Sequence, residues 1–255
     1  CAPILNVNQS LRLQEVSLRG GIPALVAPAA GAGVVFTTRA GGSSPPPFDS
    51  LNLSASTGDR ATNAGRNRES VSYALGIAPA WVMARQVHGS RVLVAAPPTG
   101  DPASDRPTPE RPTPEADAIV TGQPGTPVAV LVADCVPIAL VGAGVVAAVH
   151  AGWRGLTQGV IAAGADGARA AGGEGATALD GWIGPCIGRC CYEVGIEVPH
   201  AFAARYPEAP DCTVSVGSSL RFDLRAAAAA ALESAGVRVA GSLDVPCTSC
   251  DPRFF

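Results

Sequence analysis

Residues 128–149 are the nearest thing in this sequence to a membrane-spanning run, and they constrain the fold more than any other stretch. The run is long enough on paper to cross a bilayer. It is broken by Asp134 and Pro137 near its middle and by Gly142 and Gly144 after them. A lipid-exposed helix tolerates that composition poorly, whereas two buried strands joined by a turn accommodate it. The expected pair is 128–141 with 145–150, turning at Ala143. That pairing sets His150 opposite Val136 with Cys135 beside it, close enough for two side chains to share an ion or a proton. A one-residue slip would reverse the faces.

The remaining patterns agree with a soluble, mixed α/β chain. Further β-like runs lie at 33–38, 81–87, 91–95, 179–183 and 237–240, and helical patterns at 62–75, 156–171, 197–206 and 224–235. Asp59 and Asp223 stand where N-caps belong. Consecutive strands are joined by short turns more often than by crossover helices, so a mixed sheet is expected and a doubly wound dinucleotide fold is not. No Gly-rich dinucleotide motif, phosphate-binding loop or nucleophile elbow is present. Residues 97–114 hold seven prolines and read as a loop within one domain. The expected division is an N-terminal segment at 1–33, of uncertain structure, and one catalytic domain at 34–255.

Charge excludes several partners. Eighteen basic residues against 21 acidic give a net charge of −3, which leaves no electrostatic footprint for nucleic acid or an anionic membrane. Every basic residue is arginine, so lysine Schiff-base chemistry is excluded. The sequence begins at Cys1 and its one methionine is Met83, so the natural start is expected to have been removed or altered. Eight cysteines in a chain with a large aliphatic core read as free thiols in a reducing cytoplasm. Cys247 and Cys250 form a C-x-x-C, a spacing that suits zinc or redox work. With Pro246 it matches half of the nucleobase-deaminase signature, but no histidine starts the H-x-E half.

Two of the three histidines end apolar runs: His88 closes 81–87 and His150 closes 145–149. With Cys135 they make one well-formed set of zinc ligands, three protein donors leaving a position for water. From spacing alone the same residues also read as a core cysteine and two hydrogen-bonded strand caps. His200 sits in a helical segment and takes no role.

Several separated motifs, in order, resemble the YfiH (laccase-domain) family. They are residues 36–42 (Phe-Thr-Thr-Arg-Ala-Gly-Gly) with Ser50-Leu51-Asn52-Leu53 and Gly58-Asp59, then Gln86-Val87-His88-Gly89. Ala116-Asp117-Ala118, Ala133-Asp134-Cys135 and residues 150–155 (His-Ala-Gly-Trp-Arg-Gly) follow. Residues 184–188 and 190–194, then Cys247-Thr248 and Phe254-Phe255, complete the series. The resemblance implies a layered α/β/β/α fold with metal at His88, Cys135 and His150. It implies a zinc-dependent purine nucleoside phosphorylase that also deaminates adenosine, acting on adenosine, inosine and methylthioadenosine with phosphate. The family is also described as copper-dependent polyphenol oxidases, and some members as peptidoglycan-editing amidases. Its pattern continues with Ser-Tyr-Arg-Arg where this sequence ends at Phe255, so an anion site using those arginines would be incomplete.

Within that frame Asp134 is the carboxylate adjacent to the site, expected to move a proton or to orient another group. Arg39 and Arg154 are the phosphate candidates, with surface salt bridges as the alternative. Asn52 contacts ribose or phosphate, or makes an Asx-turn. A metal-free cysteine hydrolase, with Cys135 as nucleophile, His150 as base and Asp134 as orienter, is the competing class. Copper at the same ligands is a third reading.

Overall fold

The structure is a computed structural model, and it describes residues 12–28, 32–96, 113–241 and 244–255. The proline-rich loop expected at 97–114 lies outside the described residues except for its last two. Eleven strands, five α-helices and one short 3-10 helix (Gly173–Ala176) follow one another along the described chain. Strands β1 (Gln14–Ser17), β2 (Pro23–Ala27) and β3 (Val34–Thr37) form an antiparallel three-stranded sheet in that order. Helix α1 (Ala61–Leu75) comes next, then β4 (Val92–Val94), β5 (Ala118–Thr121), β6 (Val136–Gly142) and β7 (Val145–Ala151). Helices α2 (Trp153–Thr157) and α3 (Val160–Gly172), β8 (Asp180–Ile183) and α4 (Glu197–Arg205) precede a hairpin of β9 (Thr213–Val216) and β10 (Ser219–Phe222). Helix α5 (Leu224–Ser234) and β11 (Arg238–Val239) close the series.

The main sheet has six strands in the order β11-β8-β6-β7-β5-β4. Its two outer pairs are parallel and its inner pairs antiparallel, the mixed sheet that the short connections require. One face carries Val136, Ile138, Leu140, Val145, Ala147 and Val149 into a core completed by Ile161 and Ala165 of α3 and Ala228 and Leu232 of α5. The other face carries Ala139, Val141 and Trp182 against Val34 and Phe36 of the small sheet. Helix α1 packs Val71 against Ile22, which turns between β1 and β2, and against Leu51. Helices α3 and α5 therefore cover one face of the large sheet, the small sheet covers the other, and α1 packs at the β1–β2 turn beyond it. This is a single mixed α/β domain with the layered arrangement expected.

Four local expectations are corrected. The hairpin runs from Gly142 paired with Val145, so the turn is Ala143-Gly144 and the register is one residue away from a turn centred on Ala143. Gly144 takes φ 70°, the left-handed geometry that a two-residue hairpin turn needs. His150 consequently opposes Pro137, not Val136. Residues 81–87 and 128–133 are not strands: the two segments run side by side with one isolated bridge, Val82–Val128, and a separate bridge joins Arg85 to Glu115. There the Gln86 amide replaces a ladder: it donates to the Leu131 carbonyl at 2.7 Å and accepts the Leu131 N–H at 2.8 Å. The helix expected over 156–171 is two helices, because the chain turns left-handed at Gly159. Finally, Asp59 does not cap α1, whose N-cap is Arg60 without a side-chain bond. The Asp59 carboxylate is drawn instead onto Ser44, Asn52 and Asn63. Asp223 does cap α5, accepting the Ala226 N–H at 3.1 Å.

Candidate metal centre

The observed register builds the site. Residues of β6 and its approach that share a face with Pro137 include Cys135, and Pro137 opposes His150, so thiol and imidazole emerge on one side of the sheet. Next to them, on the other flank of β7, Asp117 directly precedes β5 and its carbonyl accepts the His150 N–H at 2.7 Å. His88 arrives from a loop. One ligand atom from each of His88, Cys135 and His150 lies within 4.8 Å of the others. The Cys135 Sγ is 3.7 Å from His88 Nε2, and the two imidazoles meet edge to face at 4.7 Å between centroids. His150 is buried, whereas His88 is exposed and Cys135 half-buried, so the trio opens toward solvent on the His88 side.

Asp117 holds this arrangement together. Its side chain is fully buried. The carboxylate accepts the backbone N–H groups of Val87, His88 and Gly89 at 3.2, 3.0 and 2.8 Å, and bonds His150 Nδ1 at 2.8 Å. Three successive amides converge on one anion because His88 adopts φ 58°, a concave backbone nest that a non-glycine residue enters only under strain. Burial pushes the Asp117 carboxyl up, but the bonds from His150, Gly89 and Val87 outweigh it and hold it below its ordinary value. An ionised carboxylate only accepts, so His150 carries its proton on Nδ1 and leaves the Nε2 lone pair for the site. Burial also lowers the His150 pKa against the pull of Asp117, which favours the neutral ring that binds metals.

Gly152 supplies the room. A Cβ at this position would stand 2.8 Å from His88 Cδ2 and 2.9 Å from Cys135 Sγ, so any side chain would occupy the space between the donors. One thiol and two imidazoles around such a gap fit zinc or copper. Burial, helped by the carboxylates of Asp134 and Asp117, pushes the Cys135 thiol up to about 11. A free thiol in that setting is a poor nucleophile at neutral pH.

Residues 33–255 match the family model described as multi-copper polyphenol oxidoreductase laccase. A Shigella flexneri protein named purine nucleoside phosphorylase YfiH is 37% identical over 211 residues, covering 81% of this chain and 80% of the relative. The chain belongs to the YfiH family. A Streptomyces coelicolor member, named purine nucleoside phosphorylase SCO2081, is 40% identical over 182 residues, 70% of this chain and 71% of its own. Among solved structures, YlmD from Geobacillus stearothermophilus superposes with a TM-score of 0.80 at 31% identity, covering 95% of this chain and 91% of that one. A Bacillus licheniformis YfiH structure gives 0.77 at 28% identity, over 91% and 89%.

The other residues singled out in this YfiH-family sequence are placed as follows. Asp134 is exposed beside Cys135, and its Oδ1 accepts the Thr248 hydroxyl at 2.8 Å. Arg154 is exposed at the start of α2 with its guanidinium over the Trp153 ring. It has no ion pair among the described residues. Tyr192 lies within electrostatic reach of Cys135, Arg154 and Asp134; burial, reinforced by Cys135, raises its phenol to about 12 and keeps it a donor. Arg39 is already engaged: it donates to the carbonyls of Asp49 and Phe254, pairs with the Asp49 carboxylate at 3.5 Å, and stacks on Phe255. Asn52 is buried and makes the Asx-turn, accepting the Ser54 N–H at 3.0 Å while its amide donates to Asp59.

Two features were not anticipated from the residues. Asp117 was visible only as part of a motif, although an acid between alanines before an apolar run is itself a signal. The second is that the C-x-x-C of Cys247 and Cys250 is joined by Cys190 and Cys191 in another group of potential metal ligands. The spacing argument found one well-formed metal site and half of a second, and the described residues hold two clusters. No helix among the described residues is long and apolar enough to cross a membrane.

Proposed function

We propose that the chain is a zinc-dependent purine nucleoside phosphorylase with a second, adenosine-deaminating activity, taking adenosine, inosine and methylthioadenosine with phosphate as co-substrate. The observation that carries the reading is the trio His88, Cys135 and His150, braced by Asp117 around the gap at Gly152. The names of the 37% and 40% identical relatives supply the substrate class. Zinc held by those three side chains would supply Lewis acidity at an open coordination position.

The chain's own residues do the rest. Asp117 fixes the His150 ring and its tautomer and pins the His88 loop, so the donors converge without rearrangement. Arg154, exposed near the mouth and free of an ion pair among the described residues, is the phosphate contact. Arg39 and Asn52, with their polar groups engaged inside the protein, contribute to shape more than to substrate contact. In phosphorolysis a phosphate oxygen bonds the sugar C1′, the glycosidic C–N bond breaks, and the leaving purine takes a proton. In deamination water adds at the purine C6, ammonia leaves, and Asp134 is the carboxylate positioned to move the proton. A cysteine hydrolase would need a ready thiolate, and the raised Cys135 thiol does not offer one.

Incubation of adenosine with and without phosphate, followed by chromatography, tests both activities. Adenine and ribose 1-phosphate are expected only with phosphate, and inosine in either case. Arg154→Ala is expected to raise the KM for phosphate about tenfold, the loss of one charge-assisted contact. Stripping with a strong chelator abolishes both activities and zinc restores them. Full activity in a sample shown by X-ray fluorescence to be metal-free leaves the cysteine hydrolase. Copper in that measurement with phenol oxidation leaves the oxidase, and cleavage of peptide-linked cell-wall precursors without purine products leaves the amidase.

A further inference from the structure

Four cysteines that the proposed reaction does not use meet on the far side of Asp134. Cys190 and Cys191 lie in a turn where the N–H groups of Cys191 and Tyr192 both reach the Gly188 carbonyl. Cys247 and Cys250 lie in a second turn, closed by Cys250 N–H to the Cys247 carbonyl at 3.1 Å. The two turns are docked by a bridge between Cys186 and Cys247. All four Sγ atoms fall within 4.8 Å of one another, with Cys191–Cys250 at 3.2 Å and Cys190–Cys250 at 3.6 Å. A disulfide would bring two sulfurs to about 2.05 Å and leave the others out. Four thiolates on a tetrahedral zinc, at about 2.3 Å each, sit about 3.8 Å apart, the scale of the cluster seen here.

We propose that Cys190, Cys191, Cys247 and Cys250 form a second, structural zinc site that clamps two loops behind the His88, Cys135 and His150 centre.

A backbone donor and two arginines face the cluster. The Gly188 N–H donates to Cys247 Sγ at 3.2 Å. Zinc with four thiolates carries two negative charges. Two arginines approach the same loops: Arg221 donates to the Cys190 carbonyl and Arg225 to the Cys186 carbonyl at 3.1 Å. Each keeps a buried Nε–H without a partner. Four protein donors close the coordination shell, so this ion takes no substrate. Its effect is mechanical. The first loop donates Ile187 N–H to the Asp134 carbonyl at 2.9 Å, and the second donates the Thr248 hydroxyl to the Asp134 carboxylate. Both contacts hold the residue next to Cys135.

Zinc itself is the probe, and the full chain is the sample. In the variant His88→Ala/Cys135→Ala/His150→Ala, one zinc per chain is expected to remain, and X-ray absorption is expected to show only sulfur neighbours at about 2.3 Å. Because that variant removes the first centre, the result does not depend on the proposed reaction. Cys190→Ser/Cys250→Ser, made in the otherwise unaltered chain, is expected to lose one zinc equivalent and to leave Cys191 and Cys247, the two remaining thiols, open to rapid alkylation. This second pair of measurements decides the matter if the triple variant does not fold. A folded triple variant without zinc, zinc bound through nitrogen or oxygen, or an unchanged zinc count in the serine variant overturns the proposal. So does a Cys191–Cys250 disulfide in freshly reduced, zinc-replete protein.

Discussion

The two clusters lie on either side of Asp134 and are held in opposite ways. His150 is fixed by the ladder bonds of a central strand, and its ring by a buried carboxylate that also grips the His88 loop. The four cysteines hang from two turns near the surface, with Cys190 and Cys250 exposed. The first cluster mixes nitrogen and sulfur and keeps a gap at Gly152; the second is all sulfur and closed on itself. A site that must admit a substrate has to exist before its ligand arrives, and here the sheet and Asp117 provide that order. A clamp can be completed by the ion it binds, because binding free energy then becomes folding free energy.

The comparison breaks first at Asp117. Asp117→Ala leaves three backbone donors and His150 Nδ1 without an acceptor in a fully buried position. The expected loss is about 3 kcal/mol or more in denaturant unfolding, because each buried donor left without an acceptor costs about 1–3 kcal/mol. Asp117→Asn keeps the volume and is expected to weaken metal binding about 10- to 100-fold with a smaller stability loss. An Asp117→Ala protein as stable as the parent would mean that the strand alone orders the site.

Gly152→Ala comes next. The added methyl meets His88 and Cys135 below 3 Å, and the cost of overpacking is about 1–3 kcal/mol. The expected pattern is selective: zinc is lost from the histidine-containing centre while the tetrathiolate zinc stays, read as sulfur-only X-ray absorption. Retention of both ions would show that His88, on its loop, moves aside.

How much of this was legible depends on how far apart the partners lie. The Cys135–His150 contact was readable because a glycine turn joins neighbouring apolar strands, and even a one-residue register error still brought the two positions together. The layered α/β/β/α arrangement came from the motif resemblance, and composition alone reached only a mixed sheet. Asp117 was hidden because its role is set by β5 pairing with β7, a contact no local pattern announces. The cysteine cluster was half legible: the spacing of Cys247 and Cys250 suits zinc, but Cys190 and Cys191 lie some sixty residues away and no local pattern joins the two pairs. Strands at 81–87 and 128–133 were misread because the Gln86 side chain does the work of a backbone ladder.

The smallest expected effect tests whether the two clusters are one unit. Thr248 is buried and its hydroxyl bonds Asp134 at 2.8 Å, a direct side-chain link between the cysteine loops and the residue before Cys135. Thr248→Val removes that donor and keeps the shape. Asp134 is exposed, so water replaces the lost partner, and the net cost is expected at about 0.5–1.5 kcal/mol in urea unfolding. The Ile187 N–H still holds the Asp134 carbonyl, so Cys135 stays in place and both zinc equivalents are retained. If either ion is lost from Thr248→Val, or the destabilisation exceeds about 3 kcal/mol, the hydroxyl carries more than one hydrogen bond's worth of order. The clusters would then be a single cooperative element divided only by name.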